Sequence, residues 1–167
     1  MANTFFFRPM RRKRQQLSEQ ECLAILNNAT AGTLALLGDG GYPYSLPISF
    51  AYSDGKLFFH SALTGHKIDA VRNCDKASFS VIQNDDVKPK EYTTYFRSVI
   101  CFGRIRILDN DDDKMRVLRL LGNRYNPNDD EALAAEIKKS FKAVCVIELD
   151  IEYMTGKESI EYVRAHK

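Results

Sequence analysis

The chain has 167 residues, 44% of them hydrophobic, and its 24 basic and 22 acidic side chains leave a net charge of +2. That length suits one domain with one core, no apolar run approaches the about 18 residues of a membrane span, and so even a charge balance gives no overall footprint for nucleic acid. The four cysteines, Cys22, Cys74, Cys101 and Cys145, form no C-x-x-C pair and have no histidine at zinc-ligand spacing, which argues against a structural zinc site and leaves no metal to expect.

Phe5-Phe6-Phe7 precedes Arg11-Arg12-Lys13-Arg14. An apolar patch followed by charge offers neither a signal-peptide core nor a cleavage site, so the expected location is the cytoplasm. Residues 1–16 read as an N-terminal basic segment whose charges are solvated surface. Leu17-Ser18-Glu19-Gln20-Glu21 then signals a helix start, with Ser18 as N-cap and Glu21 as its capping-box partner. Cys22, Leu23, Ile25 and Leu26 supply the apolar face, and Asn27-Asn28 ends the helix.

Ala31 to Leu37 begins the sheet, and Gly38-Asp39-Gly40-Gly41 turns the chain into Ser45 to Tyr52, a run of aromatic, apolar and small polar residues. Ser53-Asp54-Gly55-Lys56 is turn chemistry, and Leu57-Phe58-Phe59 resumes the apolar run, so an antiparallel hairpin is predicted with Ser49 and His60 near each other. Thr64-Gly65-His66-Lys67 leads into Ile68, Ala70 and Val71, whose spacing suits a helix start. Backbone N–H groups there, with Lys67 and His66, would make an anion site.

Lys76 to Ile82 alternates as a strand with one buried face. Asn84 to Lys90 reads as a charged loop, and Tyr92 to Leu108 as the longest β-prone segment, with Gly103 marking a bulge or a close backbone approach. Arg97, Arg104 and Arg106 read as its solvated face, and Cys101 and Cys145 as core residues. Asp109 to Asp113 caps an amphipathic helix that Gly122-Asn123 stops, and Asn128 or Asp129 caps a second helix running through Ile137. Ala143 to Ile151 is a nearly continuous apolar, central strand, and residues 153–167 are left as a short polar tail. Strands that follow one another by turns, with helices inserted rather than alternating, predict a mainly β fold: an antiparallel sheet closed into a barrel and flanked by helices. No G-x-G-x-x-G or P-loop is present.

With these motifs in order, the chain resembles the flavin-binding split-barrel proteins related to pyridoxamine 5′-phosphate oxidase, and most closely their nitroimidazole-resistance branch. Tyr42 to Phe50, Leu57 to Asp69 and Tyr92 to Gly103 carry the likeness, which spans roughly Leu17 to Ile151 and puts the split-barrel domain at 17–152. It implies an antiparallel split β-barrel that binds FMN as a homodimer, with the flavin at the interface. Pro47, Ile48 and Ser49 match the strand along the isoalloxazine and ribityl chain, and His60, Ser61 and Ala62 match the next strand. His66 and Lys67 match the basic pair on the phosphate, and Ser98 a polar position near the cofactor. The implied activity is an FMN-dependent, nitroreductase-like oxidation–reduction with a small-molecule substrate and a nicotinamide donor, NAD(P)H; His60 is the candidate proton donor. Departures from the pattern, such as His66 where an arginine is usual, argue against oxidation of pyridoxamine phosphate itself. The rivals are a haem-handling split barrel with a histidine axial ligand, a non-catalytic flavin module, and a regulatory protein that uses Arg11 to Arg14 on nucleic acid. Neither a membrane nor nucleic acid is the expected partner.

Overall fold

The structure is a computed structural model that describes residues 7–165; Phe5 and Phe6 of the aromatic patch lie outside the described residues. Ser18 caps α1 (Glu19–Asn28) as expected: its hydroxyl accepts from the Glu21 N–H at 3.3 Å, and the Glu21 carboxylate accepts from the Ser18 N–H at 2.8 Å. Four strands follow, β1 (Ala31–Leu37), β2 (Pro43–Ser49), β3 (Ala51–Ser53) and β4 (Lys56–Ala62). Asp54 and Gly55, with φ of 50° and 77°, form the tight turn between β3 and β4, as a right-twisting hairpin requires. Then come α2 (His66–Asn73), β5 (Lys76–Lys88), β6 (Thr93–Leu108), α3 (Asp111–Tyr125), α4 (Asp130–Ser140), β7 (Val144–Glu158) and α5 (Ile160–Ala165).

The seven strands form one antiparallel sheet in the order β2-β1-β5-β6-β7-β4-β3. Its two edges, β2 and β3, are joined in the chain by Phe50 alone, so the sheet is rolled until its ends meet at one residue. The expected closure is incomplete, because those edges share no ladder and a seam separates them: this is the split barrel. Phe50 is fully buried, with its ring 4.8 Å from that of Phe79, which in turn lies 5.3 Å from Phe59. A tyrosine fastens the crossing. The Phe50 N–H donates to the Tyr125 hydroxyl at 2.9 Å, and that hydroxyl lies 2.6 Å from the Thr30 carbonyl and 2.7 Å from the Phe50 carbonyl. Arg124 donates to the Leu26 carbonyl at 3.0 Å and also to that of Ala29, both at the end of α1. The edge strand β2 carries Pro43 and Pro47 within an unbroken register to β1, which proline tolerates only where its nitrogen faces away from the neighbour.

The barrel interior holds one large apolar cluster. A smaller one, Ala51, Phe58, Leu108, Val117, Leu121 and Val146, forms where α3 covers the outer side of the β3, β4, β7 and β6 strands. No helix among the described residues is long and apolar enough to cross a membrane.

Four elements differ from expectation, each because tertiary pairing outweighs local composition. The loop predicted over 84–90 is mostly strand: β5 runs to Lys88 and pairs residue by residue with Thr93 to Arg97 after an irregularity between Ile82 and Asn84. The strand predicted to end at Ile151 continues to Glu158, which pairs with Arg97, and α5 then forms in what read as polar tail. α3 passes Gly122 to reach Tyr125, since a Cβ at Gly122 would strike Leu133 and the missing side chain is what lets α4 pack there. At Gly103 both predicted reasons hold: Phe102 pairs with Tyr153 and Gly103 with Ile151, which leaves Glu152 unpaired as a bulge, and a Cβ would strike the Asp150 carbonyl. The three arginines of β6 are not merely solvated. Arg97 pairs with Glu158 at 2.9 Å, Arg104 with Asp75 at 2.6 Å and Glu152 at 3.2 Å, and Arg106 with Glu148 at 2.9 Å. Cys22, Cys101 and Cys145 are buried.

Candidate functional site

The site is built around the start of α2. Gly65, at φ 118°, takes a backbone conformation closed to most side chains and turns the chain from β4 into the helix. Its carbonyl accepts from Ile68 and Asp69 N–H, at 2.8 and 3.1 Å, and no side chain caps the N-terminus. The first N–H groups of an uncapped helix are open donors with partial positive charge.

Two side chains flank that end. His66 stacks on Tyr44, ring centroids 4.1 Å apart and planes 14° apart, with Nε2 3.8 Å from the Asp39 carboxylate. Tyr44 itself packs on the core, so the histidine is fixed to the β1–β2 turn. Lys67 is half-buried, and no carboxylate lies within ion-pair distance of it among the described residues. Burial holds its ammonium below the ordinary lysine range, against a small opposing effect from Cys145. That cysteine donates to the Ala62 carbonyl at 3.3 Å. Its thiol is pushed up by burial although Lys67, Lys114 and Arg72 act the other way. The Cys22 and Cys101 thiols are pushed up to about 11 and about 12, chiefly by burial, so neither supplies a thiolate at neutral pH.

The predicted site residues fall into two groups. His60, Ser61 and Ala62 end β4 directly before the α2 turn; Ser61 is buried and in register with Cys145, whereas His60 and Ala62 are exposed. They share one end of the barrel with His66 and Lys67. Pro47 and Ser49 are exposed on β2, with Ile48 turned to the core between them. The predicted pairing of Ser49 with His60 is not made. Ser49 pairs with Ala31 and the β3–β4 ladder ends at Ala51 and Phe58, because Phe50 dives into the core and separates the two strands. Ser98, on β6, pairs with Ile82 and Lys157. Two strands separate it from β2, which at ~4.8 Å per strand puts the pair roughly 14 Å apart, so one copy of the chain does not bring Ser98 to Ser49.

Three contributors escaped the sequence reading: Tyr44 and Asp39, which orient His66, and Tyr125, which holds Phe50 beside Ser49. Tyr44 had a faint signal, being in phase with Leu46 and Ile48 on the inward side of β2. Among the described residues no group of three or more metal-ligating side chains converges.

This geometry belongs to a known class. A sequence model of the pyridoxamine 5′-phosphate oxidase family matches residues 18–158, and the chain is a member of that family. Among solved structures it is similar to a candidate 5-nitroimidazole antibiotic resistance protein from Bacteroides thetaiotaomicron, with 21% identity over 86% of each chain and a TM-score of 0.70. It is also similar to an FAD- and haem-binding protein from Mycobacterium smegmatis, with 24% identity over 92% of this chain and 80% of that one and a TM-score of 0.74. A flavocytochrome from Azotobacter vinelandii, 20% identical over 90% of this chain and 72% of that one, gives 0.78. At such identities the likeness establishes the split-barrel fold. No curated protein sequence matches the chain.

Proposed function

We propose that this chain is an FMN-binding oxidoreductase of the nitroreductase-like kind, working as a homodimer with the flavin between subunits. The observation that carries the reading is the start of α2: uncapped N–H groups beside Lys67, a half-buried cation with no carboxylate partner among the described residues. A desolvated ammonium without a counter-ion is costly, and a phosphate dianion offsets that cost while satisfying the N–H groups. In this reading Lys67, the α2 N-terminus and His66 hold the phosphate. Pro47, Ile48 and Ser49 run along the ribityl chain and ring, Ser61 and Ala62 lie at the end of β4 next to α2, and exposed His60 is the proton donor. Bound FMN would supply two-electron hydride transfer from NAD(P)H to a nitro group or comparable acceptor. That some structurally similar proteins are described as binding flavin supports the class of cofactor.

The dimer is supported by the outer face of the long strands, where Ile82, Ile100 and Phe102 are 68%, 40% and 37% exposed, a concentration typical of protein–protein contacts. Apposing two such faces would also let Ser98 of one copy approach the Ser49 strand of the other, a proximity a single copy lacks. The test is the absorption spectrum of the purified protein, identification of the molecule released on denaturation, and mass by light scattering. FMN in a dimer that turns over NADPH and a nitroaromatic is the expected result. Released FAD would correct the cofactor, while a Soret band without flavin, or a flavin-loaded monomer, would overturn the reading. A loaded dimer without turnover would leave a flavin module only.

A further inference from the structure

A second candidate site does not depend on the flavin reading. Between α3 and α4 runs a groove of about 390 Å³, within the ~300–1,000 Å³ typical of small-ligand sites. Its floor is apolar: Met115 from α3, Ala134 and Ile137 from α4, and Phe141 beyond it. Its rim is cationic: Arg119, Lys138, Lys139 and Lys142. Only Lys139 has a carboxylate partner among the described residues, Glu136 at 3.8 Å. A fifth cation, Lys114, sits 4.5 Å over the Phe141 ring.

The groove also has direction. A smaller cavity of about 270 Å³ shares Arg119, Ala134 and Ile137, extends past Leu133, and ends at Asn123 and Asp130. The lysines therefore sit at one end, and apolar surface runs from them toward Asn123 and Asp130. Lysines in the last turn of α4 complement its carbonyl end, but Lys142 lies beyond the helix and Arg119 on its neighbour, so the convergence of charge on one apolar floor is a property of the groove. Its volume is too small for a helix of about 10 Å diameter and suits a single extended chain.

We propose that the α3–α4 groove binds a free single-chain aliphatic carboxylate, with its head among Arg119, Lys138 and Lys142 and its alkyl chain over Ile137 and Ala134 toward Leu133. Two ion pairs at a solvated rim supply modest affinity; the buried methylenes supply the rest. Met115, unbranched and polarizable, can follow the shape of a flexible chain.

The test uses the full-length protein and laurate labelled with ¹³C at the carboxyl, titrated below its micelle concentration and followed by NMR. The expected result is a distinct, saturable bound resonance. Lys138→Ala/Lys142→Ala should weaken binding about five-fold, the size of two solvated ion pairs, and raised salt should do the same. Ala134→Trp, which fills the groove from an exposed position, should abolish binding at unchanged melting temperature. Absence of saturable binding overturns the proposal, as does binding that both variants leave intact. Binding to phosphatidylglycerol vesicles but not to free laurate would overturn it in favour of a membrane contact, and concentration-dependent self-association removed by Ala134→Trp would do so in favour of a second copy.

Discussion

Replacing Lys67 with methionine keeps the aliphatic stem and removes the charge. In the cofactor-free protein that ammonium is half-buried, without a carboxylate partner among the described residues, and held below its ordinary value by burial, so its loss removes a cost. The melting temperature of Lys67→Met without cofactor should equal or exceed that of the parent. FMN should be held more weakly, since a hydrogen bond to a charged group contributes about 1.5–3 kcal/mol, a factor of roughly 10 to 150 in Kd. The pH dependence separates the two effects. Because the folded-state pKa is lowered, the unfolded chain binds more protons between that lowered value and the ordinary 10.5, so the cofactor-free protein gains stability from Lys67 as pH rises through that window. FMN affinity must fall over the same window, because the ammonium is what the phosphate meets. Quenching of FMN fluorescence, titrated from pH 7 upward alongside thermal melts, reads both trends. An FMN Kd unchanged in Lys67→Met, or an affinity with the same pH slope in both proteins, would refute the assignment of the phosphate to α2.

Four further outcomes follow from the packing. Tyr125→Phe leaves the buried Phe50 N–H without its acceptor and should lower stability by about 1–3 kcal/mol in urea denaturation, with a loss of FMN affinity because Phe50 adjoins Ser49. Gly103→Ala puts a Cβ against the Asp150 carbonyl, a backbone atom that cannot swing aside, so a loss of about 2–3 kcal/mol or failure to fold is expected. Glu148 is buried against Lys56 at 3.0 Å and Arg106 at 2.9 Å; burial raises its pKa, but these hydrogen bonds and charges outweigh it and leave the value lowered. The stability it contributes is therefore present above pH 4.5 and lost as pH falls through the folded value, and Glu148→Gln should flatten that acid limb of the melting curve. With Cys22, Cys101 and Cys145 buried, a thiol reagent at pH 8 should modify Cys74 first and the others only on unfolding.

Local chemistry announced much of this fold. Ser18 and Glu21 made their capping box, Ala31 to Leu37 formed the first strand at the predicted ends, and Asp129, one of two proposed caps, accepts from the Ala132 N–H at 3.1 Å. What stayed hidden was set by distant partners. Asn84 to Lys88 is polar and charged because it belongs to a two-stranded ribbon open to water, and only its pairing with Thr93 to Arg97 makes it strand. Tyr153 to Glu158 is mostly polar in sequence, yet none of it is fully exposed, and only its pairing with Arg97 to Phe102 makes it strand. The same division holds for the site: the segments that bear on α2 were legible as motifs, whereas the stacking of His66 on Tyr44 joins residues on separate elements and left no local trace. The expected meeting of Ser49 and His60 failed for the same reason, since nothing in the hairpin pattern marks Phe50 as the point where the chain leaves one edge of the sheet for the other.

The prolines of β2 bear on how copies of this chain can meet. A rolled sheet with a seam exposes two rims, and an exposed rim invites strand addition, domain exchange and fibrillar growth. On β2, residues 43 and 47 have no N–H to offer an incoming strand, and β3, at three residues, is too short to template one. Growth by rim-to-rim pairing is thereby suppressed, whereas the dimer proposed above would form by stacking of sheet faces, which closes after two copies instead of propagating.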